Sequence, residues 1–402
     1  MISIEQLTKD EKAVLTLIQR GVAVSKEQIA ERSELKSTTL NRIFETLKEG
    51  GLIQVCGYGG SSGGRRPILY GIHPDVEMYF LGINIVPMYS NICLMDFSNN
   101  IIFDQRVTLE GDIAPEDAAD RILAVLDMQL QQRKIPRDRI VCGGIGTFCR
   151  IDRAAGVIHA IDLGGYGNPA WEGFSVAEAF EKRMGIGFFL DTTSNASCIG
   201  EYIHGCGKGK EQIAVLLCGY ATIHLGQIAH NRVLRPRNDG NDAFGHMTIV
   251  AGGKKCSCGN YGCTDSYATG TAIREAFADE LRFGRKSILE KLNPEEVTLE
   301  QIIDAGEKGD ALSIEVLSKA GFYLGVAVAN YINLFAPDVL AFGGMLVEQS
   351  NVYTEAFQAA AMKKLSLFAP DFSHRFVPRS IWGKSVVGCA VMAKEKFLGN
   401  EF

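Results

Sequence analysis

The 402-residue chain carries 41 Lys and Arg against 47 Asp and Glu, a net charge of −6, with 46% hydrophobic and 22% charged residues. This balance fits a globular protein of two or three domains and excludes one that holds nucleic acid by bulk positive charge, so any DNA contact must come from a local patch. No basic stretch followed by an apolar run opens the chain, no uncharged apolar run reaches the roughly 20 residues of a membrane helix, and most of the 11 cysteines (Cys93, Cys142, Cys218 and Cys389 among them) stand singly in apolar contexts, which points to a reducing cytoplasm.

The first eighty residues predict three short helices and a hairpin. Leu7, Val14, Leu15, Leu17 and Ile18 recur at helical spacing, with Thr8 as N-cap and Gly21 as the stop. Ser25-Lys26-Glu27-Gln28 is a capping box that starts a second helix. A third runs over about 37–49, with Leu40, Ile43, Phe44 and Leu47 on one face. Its other face begins with Lys36, Ser37, Thr38, Thr39, Asn41 and Arg42, short polar and basic side chains of the kind that reach base edges and phosphates. After Gly50-Gly51, the strand 52–55 and its return 68–70 bracket a Gly/Ser loop that ends in Arg65-Arg66-Pro67. Two adjacent arginines on such a loop suit a phosphate backbone or a minor groove. These features predict a winged helix-turn-helix over residues 1–74.

Beyond Pro74 the texture becomes α/β. Apolar strands are expected at 80–85, 91–96, 101–107 and 140–146, with a helix over about 115–132 between the last two. A second lobe is expected to start near Gly187 with the strand Phe188-Phe189-Leu190-Asp191, followed by strands at 213–219, 223–229 and 339–342, the last running into Gly343-Gly344. The expected division is 1–74, 75–186 and 187–402, with the C-terminal helix free to return to the first lobe. Covered sheets alternating with helices fit two actin-like, ribonuclease H-like lobes. No internal sequence repeat is evident.

His246, Cys256, Cys258 and Cys263 stand out. Nine residues separate the first two, one the next two and four the last two, and Gly259 and Gly262 allow sharp turns between the thiols. One imidazole and three thiolates suit a closed tetrahedral Zn2+ site that shapes a loop and does no chemistry.

Together, the winged helix, the Gly-Gly-Arg-Arg-Pro wing, the two lobes and the Gly-His…Cys-x-Cys-Gly-x-x-Gly-Cys segment resemble the repressor–ORF–kinase (ROK) family, and within it the transcriptional regulators. The resemblance implies structural zinc on His246, Cys256, Cys258 and Cys263, a dimer or dimer of dimers, double-stranded operator DNA as partner, and a sugar-type effector. The kinase parts of the family pattern are altered. Thr193 stands at the position of the general base, and a threonine hydroxyl cannot take a proton near neutral pH. The first phosphate loop reads Asn84-Ile85-Val86-Pro87-Met88, in which Pro87 lacks an N–H. The second reads Gly219-Tyr220-Ala221-Thr222, bulky beside a nucleotide.

The sugar contacts are altered too. Ala243 replaces a carboxylate, Asp265 replaces a glutamate, and either Asp162-Leu163 or Asn168-Pro169 aligns ahead of Trp171. Asp162, Asn168, Thr193, His246 and Asp265 are the candidate effector contacts. The expected function is a DNA-binding repressor of a carbohydrate-related operon, without enzyme activity. The alternatives are a sugar kinase with an added DNA-binding arm and a constitutive DNA binder with a vestigial cleft.

Overall fold

The computed structural model of the chain describes residues 7–21, 24–60, 66–86, 89–109, 113–159, 168–235, 243–366 and 370–400. Helix α1 (Lys9–Gly21) starts at Thr8, whose N–H donates to the Glu11 carboxylate at 2.8 Å. Strand β1 (Val24–Ser25) leads into α2 (Lys26–Arg32), where Ser25 and Gln28 form the expected capping box. Helix α3 (Ser37–Glu49) then buries Leu40, Ile43, Phe44 and Leu47 in one core with Val14, Leu15, Ile18 and Ile29. Strands β2 (Ile53–Tyr58) and β3 (Ile68–Ile72) pair antiparallel, and β1 adds to the far side of β3. Three helices and a three-stranded sheet with a long hairpin make a winged helix.

The body begins with β4 (Tyr79–Val86), β5 (Tyr89–Asp96) and β6 (Ile101–Thr108), then α4 (Pro115–Arg133) and β7 (Ile140–Thr147). A small sheet of β8 (Arg150–Asp152), β9 (Val157–His159) and β10 (Phe174–Ser175) precedes α5 (Val176–Met184), β11 (Phe188–Thr192) and α6 (Thr193–His204). The first large sheet has the order β11-β7-β4-β5-β6. It is an antiparallel meander extended on one side by two parallel strands.

The chain continues through β12 (Gln212–Cys218), β13 (Ile223–Ala229), β14 (Arg232–Val233), α7 (Asp265–Ala268), α8 (Gly270–Arg282), α9 (Leu299–Glu307) and α10 (Ala311–Phe335). It ends with β15 (Val339–Gly343), α11 (Met345–Gln349), α12 (Asn351–Leu365), β16 (Phe376–Pro378) and α13 (Ser385–Phe397). The second large sheet, β14-β13-β12-β15-β16, repeats the plan of the first. The two lobes are thus one architecture used twice, without a repeat in the sequence.

One expectation needs correction. Strand β11, expected to open the second lobe at residue 188, pairs in parallel with β7 and completes the first sheet. A strand covered on both faces is apolar throughout, so composition does not reveal which sheet it joins.

Between the sheets lie two helices. Helix α13 packs on β4, β5 and β7, α6 packs on β12 and β13, and the two helices pack on each other. At their crossing a Cβ on Gly388 would meet the Ala196 carbonyl, so only glycine permits this approach. Cys93, Cys142, Cys218 and Cys389 are buried, and burial raises all four thiols, Cys142 to about 12. Among the described residues one helix, α10, is long and apolar enough to cross a membrane. Here it is a core helix: Leu317, Leu324, Val328 and Ile332 are buried in the second lobe, and α12 packs along it.

Candidate functional sites

The Cys-rich segment folds as a tight loop. His246 ends a short 3-10 turn (Phe244–His246), while Thr248 bridges to Cys263 and Lys255 to Tyr261. Gly262 has φ of 77°, and a Cβ there would strike the Val250 carbonyl, so glycine is required at this turn. The ligand atoms of His246, Cys256, Cys258 and Cys263 all lie within 4.8 Å of one another. Cys258 Sγ and Cys263 Sγ are 3.7 Å apart, as are Cys256 Sγ and His246 Nδ1. This cluster can hold a metal ion. Its histidine also faces the body, because His246 Nδ1 lies 3.8 Å from Asp265 Oδ2. The other oxygen of that buried carboxylate accepts from Ile223 N–H at 3.0 Å, at the start of β13.

A cleft of about 1160 Å³ opens between the lobes, lined among others by Asn84, Val86, Phe148, Tyr220, Arg274 and Ser385. The carboxyl end of the parallel strand β4 runs into it, the position where open α/β sheets bind ligands. Thr193 Oγ1 donates to Asn84 Oδ1 at 2.9 Å, and both side chains are buried. Next to them, Asp191 Oδ1 accepts from Thr192 N–H and Asn195 Nδ2, at 2.8 and 2.7 Å. Asp191 Oδ2 accepts from Arg235 Nη2 at 2.5 Å. Asp191 ends the first sheet and Arg235 follows β14 of the second, so this ion pair ties the lobes; the side chains are 3% and 14% exposed.

On the winged helix, Lys36, Ser37, Thr38, Asn41 and Arg42 are exposed and Thr39 is half-buried. No side chain caps α3 and its first turn holds no acid, so its leading N–H groups and positive dipole end face outward. Asn41 is steadied by Lys26 Nζ, which donates to its Oδ1 at 2.9 Å and lies 5.1 Å from the Phe44 ring centroid. Arg66 is exposed at the hairpin.

Comparison with known proteins gives a family match over most of the body: the ROK family matches residues 80–396. The chain belongs to the ROK family. A xylose repressor of Bacillus spizizenii is 26% identical over 399 residues, covering 97% of this chain and 96% of its own. A solved ROK family transcriptional regulator, a homologue of the Escherichia coli Mlc protein, superposes with a TM-score of 0.78 at 22% identity, over 97% of this chain and 96% of that one. A ROK hexokinase from Thermus thermophilus superposes with a TM-score of 0.64 at 21% identity, over 79% of this chain and 99% of that one. The body is therefore shared by regulators and kinases, whereas the regulator also spans the winged helix.

Set against the ROK pattern, the structure brings Thr193 together with Asn84, and His246 together with Asp265. Asn168 is engaged locally, where its Oδ1 accepts from Ala170 N–H at 2.9 Å and its Nδ2 donates to the Ile113 carbonyl at 3.0 Å. Arg65, Pro87, Met88 and Asp162 lie outside the described residues. The Asp191–Arg235 pair had no signal in the sequence, since its partners are 44 residues apart in unlike contexts.

Proposed function

We propose that this ROK protein is a DNA-binding transcriptional repressor of carbohydrate-related genes. The observation that carries the reading is the winged helix: α3 presents an uncapped, acid-free first turn next to exposed Lys36, Ser37, Thr38, Asn41 and Arg42. Residues 1–74 hold ten Lys and Arg against eight Asp and Glu in a chain of net charge −6, so the local balance favours a polyanion. Lys36, Ser37, Thr38, Thr39, Asn41 and Arg42 enter the major groove, and Arg65 and Arg66 hold phosphates or a minor groove. A two-fold dimer presents two such helices to a palindromic site.

The same protein is not a sugar kinase. A general base has to accept a proton; a threonine hydroxyl engaged with Asn84 Oδ1 does not. A sugar-type effector instead binds beside the cleft that Asn84 lines, with Thr193, His246, Asp265 and Asn168 as its candidate contacts and Asp162 as the further candidate from the sequence. Binding favours one lobe arrangement and changes the spacing of the paired winged helices. Helix α13 serves as the shared element: Ser385 lines the cleft, and Lys12 of α1 lies 4.4 Å from the Phe397 ring centroid at its other end.

His246, Cys256, Cys258 and Cys263 hold Zn2+. A tetrahedron with Zn–S bonds of about 2.3 Å has S···S edges of about 3.8 Å, and the 3.7 Å separation of Cys258 Sγ and Cys263 Sγ fits it. With four protein ligands the ion supplies shape alone. Asp265, 3.8 Å from His246 and accepting from Ile223 N–H, sets the loop beside the start of β13.

Thermal-shift titration with pentoses, hexoses, amino sugars and their phosphates, alongside a coupled ATP-consumption assay, tests this reading. It expects stabilisation by one sugar class and no ATP turnover with any. Sugar-dependent turnover would establish the kinase, and intact DNA binding with no stabilising sugar would leave a vestigial cleft.

A further inference from the structure

We infer that Tyr58 is a DNA-contacting residue of the wing, its ring laid on the sugar–phosphate edge of the duplex beside Arg66. The inference rests on the winged helix being the DNA-binding unit and names a residue outside the helix and the arginines.

The register of the hairpin places Tyr58. Along β2, Ile53, Gln54 and Val55 oppose Ile72, Gly71 and Tyr70, but Gly57 opposes Leu69 and Tyr58 opposes Ile68. One residue, Cys56, is therefore extra, a β-bulge on the edge strand. Directly opposed residues share a face of a sheet, and alternate residues of one strand do too. Tyr58, Ile68, Tyr70 and Val55 thus face the same way. Without the bulge, three residues of strand would turn Tyr58 away from Val55; with it, both point toward the helices.

That face is the one α3 packs on, since the Tyr70 ring lies 4.6 Å from the Phe44 ring. Tyr70 is covered at 7% exposure, whereas Tyr58, further out along the hairpin, is 68% exposed and Val55 43%. Among the described residues of the winged helix these two are the exposed large hydrophobics, and the bulge puts both on one face. An exposed aromatic ring on the helix face of the hairpin, opposite Ile68 and thus two residues along the ladder from Arg66, fits a partner that is anionic at its rim and apolar between its charges. Deoxyribose between phosphates has that character. Lys26, 5.8 Å from the Tyr70 ring centroid, and exposed Arg66 supply matching charge.

The test uses the full-length protein and a duplex recovered by selection from a random library, with dissociation constants measured by fluorescence anisotropy across a range of NaCl concentrations. Tyr58→Ser should weaken binding roughly tenfold and leave the salt slope unchanged, because an apolar contact releases no counterion. Tyr58→Phe should retain most of the affinity. Arg66→Ala should reduce the slope by about one. Tyr58→Ser binding like the parent, or losing affinity through a shallower slope, would overturn the proposal. So would a changed oligomeric state of Tyr58→Ser with unchanged DNA affinity, which would assign the ring to a second copy of the chain. If no duplex is recovered at all, it is the DNA-binding reading itself that fails.

Discussion

Thr193 Oγ1 and Asn84 Oδ1 are 2.9 Å apart at the carboxyl edge of the first sheet, both buried, with the hydroxyl donating to the amide oxygen. The two side chains form a neutral hydrogen-bonded pair. Thr193→Val keeps the shape and leaves the Asn84 oxygen without its donor, which costs about 1–3 kcal/mol. Urea denaturation should show that loss, and a double-mutant cycle with Asn84→Ala should show the two sites to be coupled. Neither variant, nor T193D, should consume ATP in the presence of sugar.

The Cys-rich loop should carry one metal ion per chain. Elemental analysis of the purified protein should find zinc near one equivalent, and Cys263→Ser should abolish it. Chelation should lower the melting temperature, because a structural site contributes its binding free energy to the fold. Cobalt in place of zinc should give the intense visible bands of a tetrahedral thiolate site. A metal-free protein of unchanged melting temperature would contradict this.

The Arg235–Asp191 pair should behave as a buried ion pair that joins the lobes. Removing one partner, as in Arg235→Leu, leaves the Asp191 carboxylate uncompensated at 3% exposure and should cost about 3–5 kcal/mol. Combining it with Asp191→Asn removes the orphaned charge, so the double variant should be more stable than Arg235→Leu alone. Equilibrium unfolding of the three proteins checks the order.

Asp310 should make stability depend on acid. It is the N-cap of α10, accepting from Ser313 N–H at 2.9 Å, Ile288 N–H at 2.9 Å, and the Ser313 and Ser287 hydroxyls at 2.8 and 3.0 Å. Burial alone would raise its carboxyl, but these donors outweigh it and hold it below the usual carboxylate range. A folded pKa below the unfolded one stabilises fully above the unfolded value of about 3.9 and is lost as the pH falls through the folded value. The parent should thus be more stable than Asp310→Asn at neutral pH, and the gap should close below pH ~4.

Local signals explain how much of this could be read beforehand. The Ser25 capping box marked the start of α2 and apolar spacing marked the extent of α3, because caps and periodicity act within one turn. Close Cys spacing in a Gly-rich loop likewise made the metal cluster legible. What stayed hidden depends on long-range pairing. Strand Phe188–Thr192 is apolar whichever sheet it joins, and the bond from Thr193 to Asn84 spans 109 residues. The bulge at Cys56 that turns Tyr58 toward the helices exists only in the register between two strands.

Selection from a random-sequence duplex library on the full-length protein asks whether this chain reads duplex DNA. Enrichment of an inverted repeat, with binding of the recovered duplex weakened by Arg42→Ala and by Arg66→Ala, is the predicted result. A library that stays random after selection, with folded and metal-loaded protein, would mean that the chain does not read DNA.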